Sequence, residues 1–80
     1  MHTILVADSD EMELELFRTI LTREGYNVIL TADGPQAVEL YRTRRPSLAL
    51  IDSVLPSMSG EEVMQQIKEF DEKAKVILIR

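Results

Sequence analysis

Apolar positions along the chain fall into two alternating patterns. Four short runs are rich in aliphatic and β-branched side chains and stop at turn residues, which predicts strands: Thr3-Ile4-Leu5-Val6-Ala7, Tyr26-Asn27-Val28-Ile29-Leu30, Ser47-Leu48-Ala49-Leu50-Ile51 and Val76-Ile77-Leu78-Ile79. Between them apolar residues recur every three or four positions, the signature of helices with one buried face. The first helix follows Asp8-Ser9-Asp10, carries Met12, Leu16 and Ile20 with Phe17 and Leu21 as its apolar face, and closes on Gly25 in the C-cap position. Asp33-Gly34-Pro35 turns into a second helix, with proline at its first position, that runs to Tyr41 or Arg42. The third opens on a capping box formed by Ser59 and Glu62, turns Val63, Met64, Ile67 and Phe70 inward, and is followed by the turn Asp71-Glu72-Lys73. The order βαβαβαβ implies one α/β domain, a parallel sheet with right-handed crossovers and helices on both faces.

Such sheets bind ligands at the carboxyl ends of their strands, where neighbouring strands send their helices to opposite faces. Asp8 and Asp10 follow the first strand and Asp52 follows the third, so adjacency of those strands brings three carboxylates into one shallow crevice. Clustered carboxylates repel one another and are most simply stabilised by a hard divalent cation, with Mg²⁺ favoured by all-oxygen ligation. A carboxylate held in line beside such an ion can attack phosphorus and form an aspartyl-phosphate. The plainer reading of Asp8 and Asp10 is helix capping, with Asp10 and Glu13 as a capping box and no metal involved. Asp52 resists that reading, because the next helix begins several residues later. Leu55-Pro56 fixes the backbone after Asp52, and Gly60 allows a close approach to the third helix. His2 reads as exposed, and Met58, Met64, Tyr26 and Tyr41 as packing residues.

Composition narrows the partners. Hydrophobic residues make 45% of the chain and charged residues 29%, which is globular composition and argues against a disordered or fibrous chain. The net charge of -5 disfavours phosphate backbones and anionic membranes, so neither nucleic acid nor membrane binding is expected of this segment. The absence of cysteine excludes a disulfide scaffold, a thiol nucleophile and a zinc-cysteine site. Met1 leads directly into a short strand, with no signal-peptide core and no run long enough to span a bilayer, which predicts a soluble, cytoplasmic protein.

The segments Ile4-Leu5-Val6-Ala7-Asp8-Ser9-Asp10, Glu24-Gly25-Tyr26, Ala32-Asp33-Gly34, Arg45-Pro46-Ser47-Leu48-Ala49-Leu50-Ile51-Asp52 and Leu55-Pro56-Ser57-Met58-Ser59-Gly60, in this order and spacing, resemble the receiver domain of two-component response regulators. The resemblance runs over essentially the whole length, so residues 1–80 read as the N-terminal portion of such a domain. It implies the three-layer, flavodoxin-like fold, here incomplete, with strand order 2-1-3-4. It further implies that Asp52 accepts phosphoryl from the phosphohistidine of a sensor histidine kinase, that the residues after the first strand (Asp8, Ser9, Asp10) bind Mg²⁺ with Asp52, and that the Val54 backbone carbonyl completes the ligation. A signalling module rather than an enzyme is expected, with a downstream protein or output domain as its second partner.

Two departures from the family pattern stand out. Ser9 aligns with the second acidic residue after the first strand, the direct metal ligand, and a neutral hydroxyl is the weaker donor to a hard cation. The family continues through a fourth helix, a fifth strand and a fifth helix, with a lysine that pairs with the acceptor, and none of these lies in the 80 residues; Arg80 aligns with the switch hydroxyl. An apolar fourth strand left at the sheet edge implies self-association, a homo-oligomer joined through that edge. A degenerate receiver that makes protein contacts without phosphorylation is the alternative. Asp8-Ser9-Asp10 also has the Asp-x-Asp form of haloacid-dehalogenase-type phosphatases, but Met12 stands where Thr or Val belongs and the downstream motifs are missing. An EF-hand loop is excluded by Met12 and by the lack of glycine after it.

Overall fold

A computed structural model describes residues 2–80; Met1, on which the reading of the chain start partly rests, lies outside the described residues. The elements are β1 (Thr3–Ala7), α1 (Glu11–Arg23), β2 (Asn27–Thr31), α2 (Gly34–Arg44), β3 (Leu48–Asp52), α3 (Gly60–Phe70) and β4 (Val76–Ile79). All pairings are parallel and the strand order is β2-β1-β3-β4, as the flavodoxin-like reading expects. Among the described residues no helix is long and apolar enough to cross a membrane.

The middle strands read as near-continuous apolar runs because both faces are covered. On one face α2 and α3 pack Ala37, Val38, Tyr41, Val63 and Ile67 over Leu5, Ala7, Ala49 and Ile51. On the other, α1 sets Leu14 against Ile4 and Val6, with Phe17 and Leu21 packed at the margin. The expected face of α1 is therefore corrected in part: Phe17 and Leu21 pack inward as expected, but the other three residues do not. Met12, Leu16 and Ile20 are 81%, 58% and 48% exposed, and the inward stripe is Leu14, Phe17 and Leu21. The helix carries two overlapping stripes at helical spacing, and only one can meet the sheet.

Several boundaries move by one to three residues for identifiable reasons. Gly25, at φ 93, follows the C-cap Glu24 rather than forming it. Its N–H donates to the Thr22 carbonyl at 3.0 Å and the Tyr26 N–H to the Leu21 carbonyl at 3.1 Å, a Schellman closure that uses the backbone of Tyr26 and delays β2 to Asn27. Pro35 is the second residue of α2, behind the Asp33 cap that accepts from the Gln36 N–H at 2.9 Å. That helix runs on to Arg44 and ends where Arg45 turns left-handed at φ 46. The capping box of Ser59 and Glu62 forms as expected.

Candidate functional site

Because β1 lies beside both β2 and β3, its following helix goes to one face and the helices after β2 and β3 go to the other. The crevice between the carboxyl ends of β1 and β3 is the switch point at which parallel sheets hold ligands. Asp8 leaves β1 there with no exposed surface, and Asp52 closes β3 at 2% exposure. Asp52 is thus the last residue of its strand rather than the first after it, paired in register with Ile79 of β4.

Backbone N–H groups and side chains share the contacts to these carboxylates. Asp52 Oδ1 accepts the Val54 N–H at 3.1 Å, and Oδ2 lies 3.4 Å from the Ser9 hydroxyl. Asp8 Oδ1 accepts the Asp10 N–H at 2.9 Å. Asp10 turns its own carboxylate to the Met12 N–H at 2.9 Å, as the N-cap of α1, so Asp8 and Asp52 converge without it. The capping box expected of Asp10 and Glu13 does not form, because Glu13 reaches Arg80 and the Asp10 N–H is engaged by Asp8. Among the described residues no three His, Cys, Asp or Glu side chains form a metal cage.

Arg80 completes the cluster. Its Nη2 lies 3.0 and 3.1 Å from the two Asp8 oxygens and 3.4 Å from Asp52 Oδ2, and it also pairs with Glu13. Its carbonyl accepts from the Ser53 hydroxyl, which pins the end of β4 to the loop after β3. Sequence reading placed Arg80 at the switch position and gave Glu13 only a cap. The signal that could have found their pairing is a basic residue directly after an apolar strand whose two inner neighbours end in Asp.

These contacts set the charge states. Burial pushes the Asp52 carboxyl up, but hydrogen bonds from the Val54 and Ser9 backbone N–H groups and the Arg80 charge outweigh it and hold the group below its ordinary range. Glu13 moves the other way: its hydrogen bond with Asp8, then burial and the Asp8 charge, raise it against the pull of Arg80. For Arg80, burial opposes the charge, yet Asp52, Glu13 and Asp8 overcome this and tighten its hold on the proton.

The donor chemistry fits a hard divalent cation. Two buried carboxylates and a hydroxyl supply oxygen alone, and a guanidinium already stands between the carboxylates as a positive charge. The loop beyond Asp52 is held close: the Gly60 N–H donates to the Ser53 carbonyl at 2.9 Å, bringing the start of α3 against the backbone of Asp52 and Ser53.

Comparison with known proteins agrees with this geometry. A profile of the response regulator receiver domain matches residues 4–80. The polar-differentiation response regulator DivK of Brucella anthropi is 35% identical over 96% of this chain and 63% of its own length. The chemotaxis protein CheY of Bacillus subtilis is 33% identical over 96% of this chain and 65% of its own. The chain therefore spans less than two thirds of these curated relatives. Among solved structures, the response regulator protein TrrA of Thermotoga maritima, in complex with Mg²⁺-BeF, superposes with a TM-score of 0.93 at 32% identity, covering 98% of this chain and 68% of that one. With a profile that spans residues 4–80 and curated relatives more than 30% identical over 96% of the sequence, the chain belongs to the response regulator receiver domain family.

Proposed function

We propose that residues 1–80 are the N-terminal portion of a phosphoryl-accepting receiver in which Asp52 takes phosphoryl from the phosphohistidine of a sensor histidine kinase. The observation that carries the reading is Asp52 itself, a buried carboxylate that its hydrogen bonds and Arg80 keep ionised at the switch point. An ionised oxygen is the form required of a nucleophile. In the step, an Asp52 oxygen forms a bond to phosphorus while the bond from phosphorus to the histidine nitrogen breaks, and that nitrogen keeps the electron pair. Asp8, Ser9 and Asp52, with the Val54 carbonyl, are the residues that would hold Mg²⁺, which when bound draws charge from the phosphoryl oxygens; Asp10, engaged as the cap of α1, is left out of the set. The Val54 N–H on Oδ1 fixes the rotation of the Asp52 carboxylate, so the attacking group is held in one orientation.

Transmission then runs to a downstream protein or an attached output domain, in the cytoplasm.

One observation favours the second reading, a degenerate receiver that makes protein contacts without phosphorylation: Arg80 already occupies the acidic cluster, and Ser9 offers only a hydroxyl. The two readings separate by intact mass after incubation with acetyl phosphate and Mg²⁺. A phosphoryl adduct on the wild type and none on Asp52→Asn supports the acceptor. No adduct on either, with native circular dichroism, supports the interaction module.

A further inference from the structure

Two buried carboxylates that face one crevice carry like charges in a medium that screens them poorly, and a charge of opposite sign must compensate. Here one nitrogen of Arg80 reaches both, at 3.0 Å from Asp8 and 3.4 Å from Asp52, and extends to Glu13 at the rim. Its partners are asymmetric: the Asp8 side chain is fully buried and that of Asp52 nearly so, whereas the Arg80 side chain is 52% exposed. The carboxylates are fixed parts of the scaffold, and the guanidinium enters from solvent on a flexible stem.

We propose that Arg80 is a tethered counter-ion that occupies the cation position between Asp8 and Asp52, so that a divalent cation enters only by displacing it. This rests on the reading of Asp8 and Asp52 as cation ligands. A guanidinium is permanently charged and requires no free ion, so the cluster is compensated when no metal is present. It brings one positive charge where a divalent cation brings two, so it leaves part of the carboxylate charge uncompensated and can be exchanged. Nothing in the swing needs the sheet to move, because the backbone of Arg80 stays tied to Ser53 through its carbonyl. Phosphoryl acceptance in this chain then requires a higher divalent cation concentration than the two carboxylates alone would require.

The test is a calorimetric Mg²⁺ titration of the wild type, Arg80→Gln and Arg80→Lys, with thermal unfolding of each in EDTA. Arg80→Gln should bind Mg²⁺ at least about tenfold more tightly than the wild type, since removal of a unit charge within contact distance of both ligands is a large electrostatic change. Arg80→Lys, which keeps the charge on a shorter reach, should fall between them. In EDTA, Arg80→Gln should melt lower than the wild type and recover when Mg²⁺ is added. Equal or weaker Mg²⁺ binding by Arg80→Gln overturns the competition and leaves the cation reading standing. No binding by any of the three overturns both. An unchanged melting temperature of Arg80→Gln in EDTA overturns the counter-ion role.

Discussion

Replacing Gly60 by alanine drives a methyl carbon against the main chain at the end of β3, where Asp52 sits. The added Cβ would collide with the Asp52 carbonyl oxygen and stand 2.7 Å from Ser53 Cα and 2.9 Å from the Asp52 carbonyl carbon. Carbon atoms in contact rest roughly 3.5–4.0 Å apart, so the two segments must separate by about 1 Å. None of the obstructing atoms belongs to a side chain that could rotate away. The separation also stretches the 2.9 Å hydrogen bond from the Gly60 N–H to the Ser53 carbonyl. Overpacking costs about 1–3 kcal/mol where side chains can adjust, and with backbone on both sides the upper end applies, ~3 kcal/mol. For a domain of this size that lowers the melting temperature by roughly 12–24 °C. Gly25→Ala is the internal reference, because its Cβ meets no atom within 4 Å and the cost comes only from a left-handed φ of 93. That cost is about 1–2 kcal/mol. Thermal and urea unfolding followed by far-ultraviolet circular dichroism reads both. A Gly60→Ala variant no less stable than Gly25→Ala would refute the claim that backbone contact fixes the distance between α3 and Asp52.

The Tyr41 hydroxyl donates to Asp71 at 2.9 Å, so Tyr41→Phe should cost about 1–2 kcal/mol in urea unfolding at neutral pH. Burial first, and Asp71 second, push the Tyr41 phenol up to about 12. The folded chain therefore keeps a proton that the unfolded chain releases near the ordinary value of about 10, and stability should fall as pH rises between the two, a slope that Tyr41→Phe should lack. On α1, Leu14→Ala should cost about 2–3 kcal/mol because Leu14 is buried against the sheet, whereas Leu16→Gln, on the exposed stripe, should stay within about 0.5 kcal/mol. Chemical denaturation of the pair decides which stripe faces the core.

Most of the architecture could be read from local pattern. β1 and β4 begin and end where their apolar runs do, and Ser59 with Glu62 caps α3 as its spacing implies. The failures are failures of context. Nothing within α1 decides whether Phe17 and Leu21 share the inward face with Met12, Leu16 and Ile20 or with Leu14; the choice is made by Ile4 and Val6 on a strand the helix does not contain. Tyr26 has the composition of a strand residue, but its N–H closes the preceding helix. In the site, Asp8 and Asp52 were legible because each ends an apolar strand, and strand order alone brings such ends together. Asp10 was ambiguous in sequence, and its geometry is that of a cap. The pairing of Arg80 with Asp8 spans 72 positions and depends on β4 lying beside β3, so no local motif announces it.

The measurement closest to the central claim is the chemical mapping of the acceptor. The chain is phosphorylated with acetyl phosphate and Mg²⁺, reduced with borohydride, which converts an aspartyl-phosphate to homoserine, and sequenced by peptide mass spectrometry. Homoserine at position 52 and at no other carboxylate is the predicted result. Homoserine at Asp8 or Asp10, or none at all from a folded chain, would contradict the assignment of Asp52 as the phosphoryl acceptor.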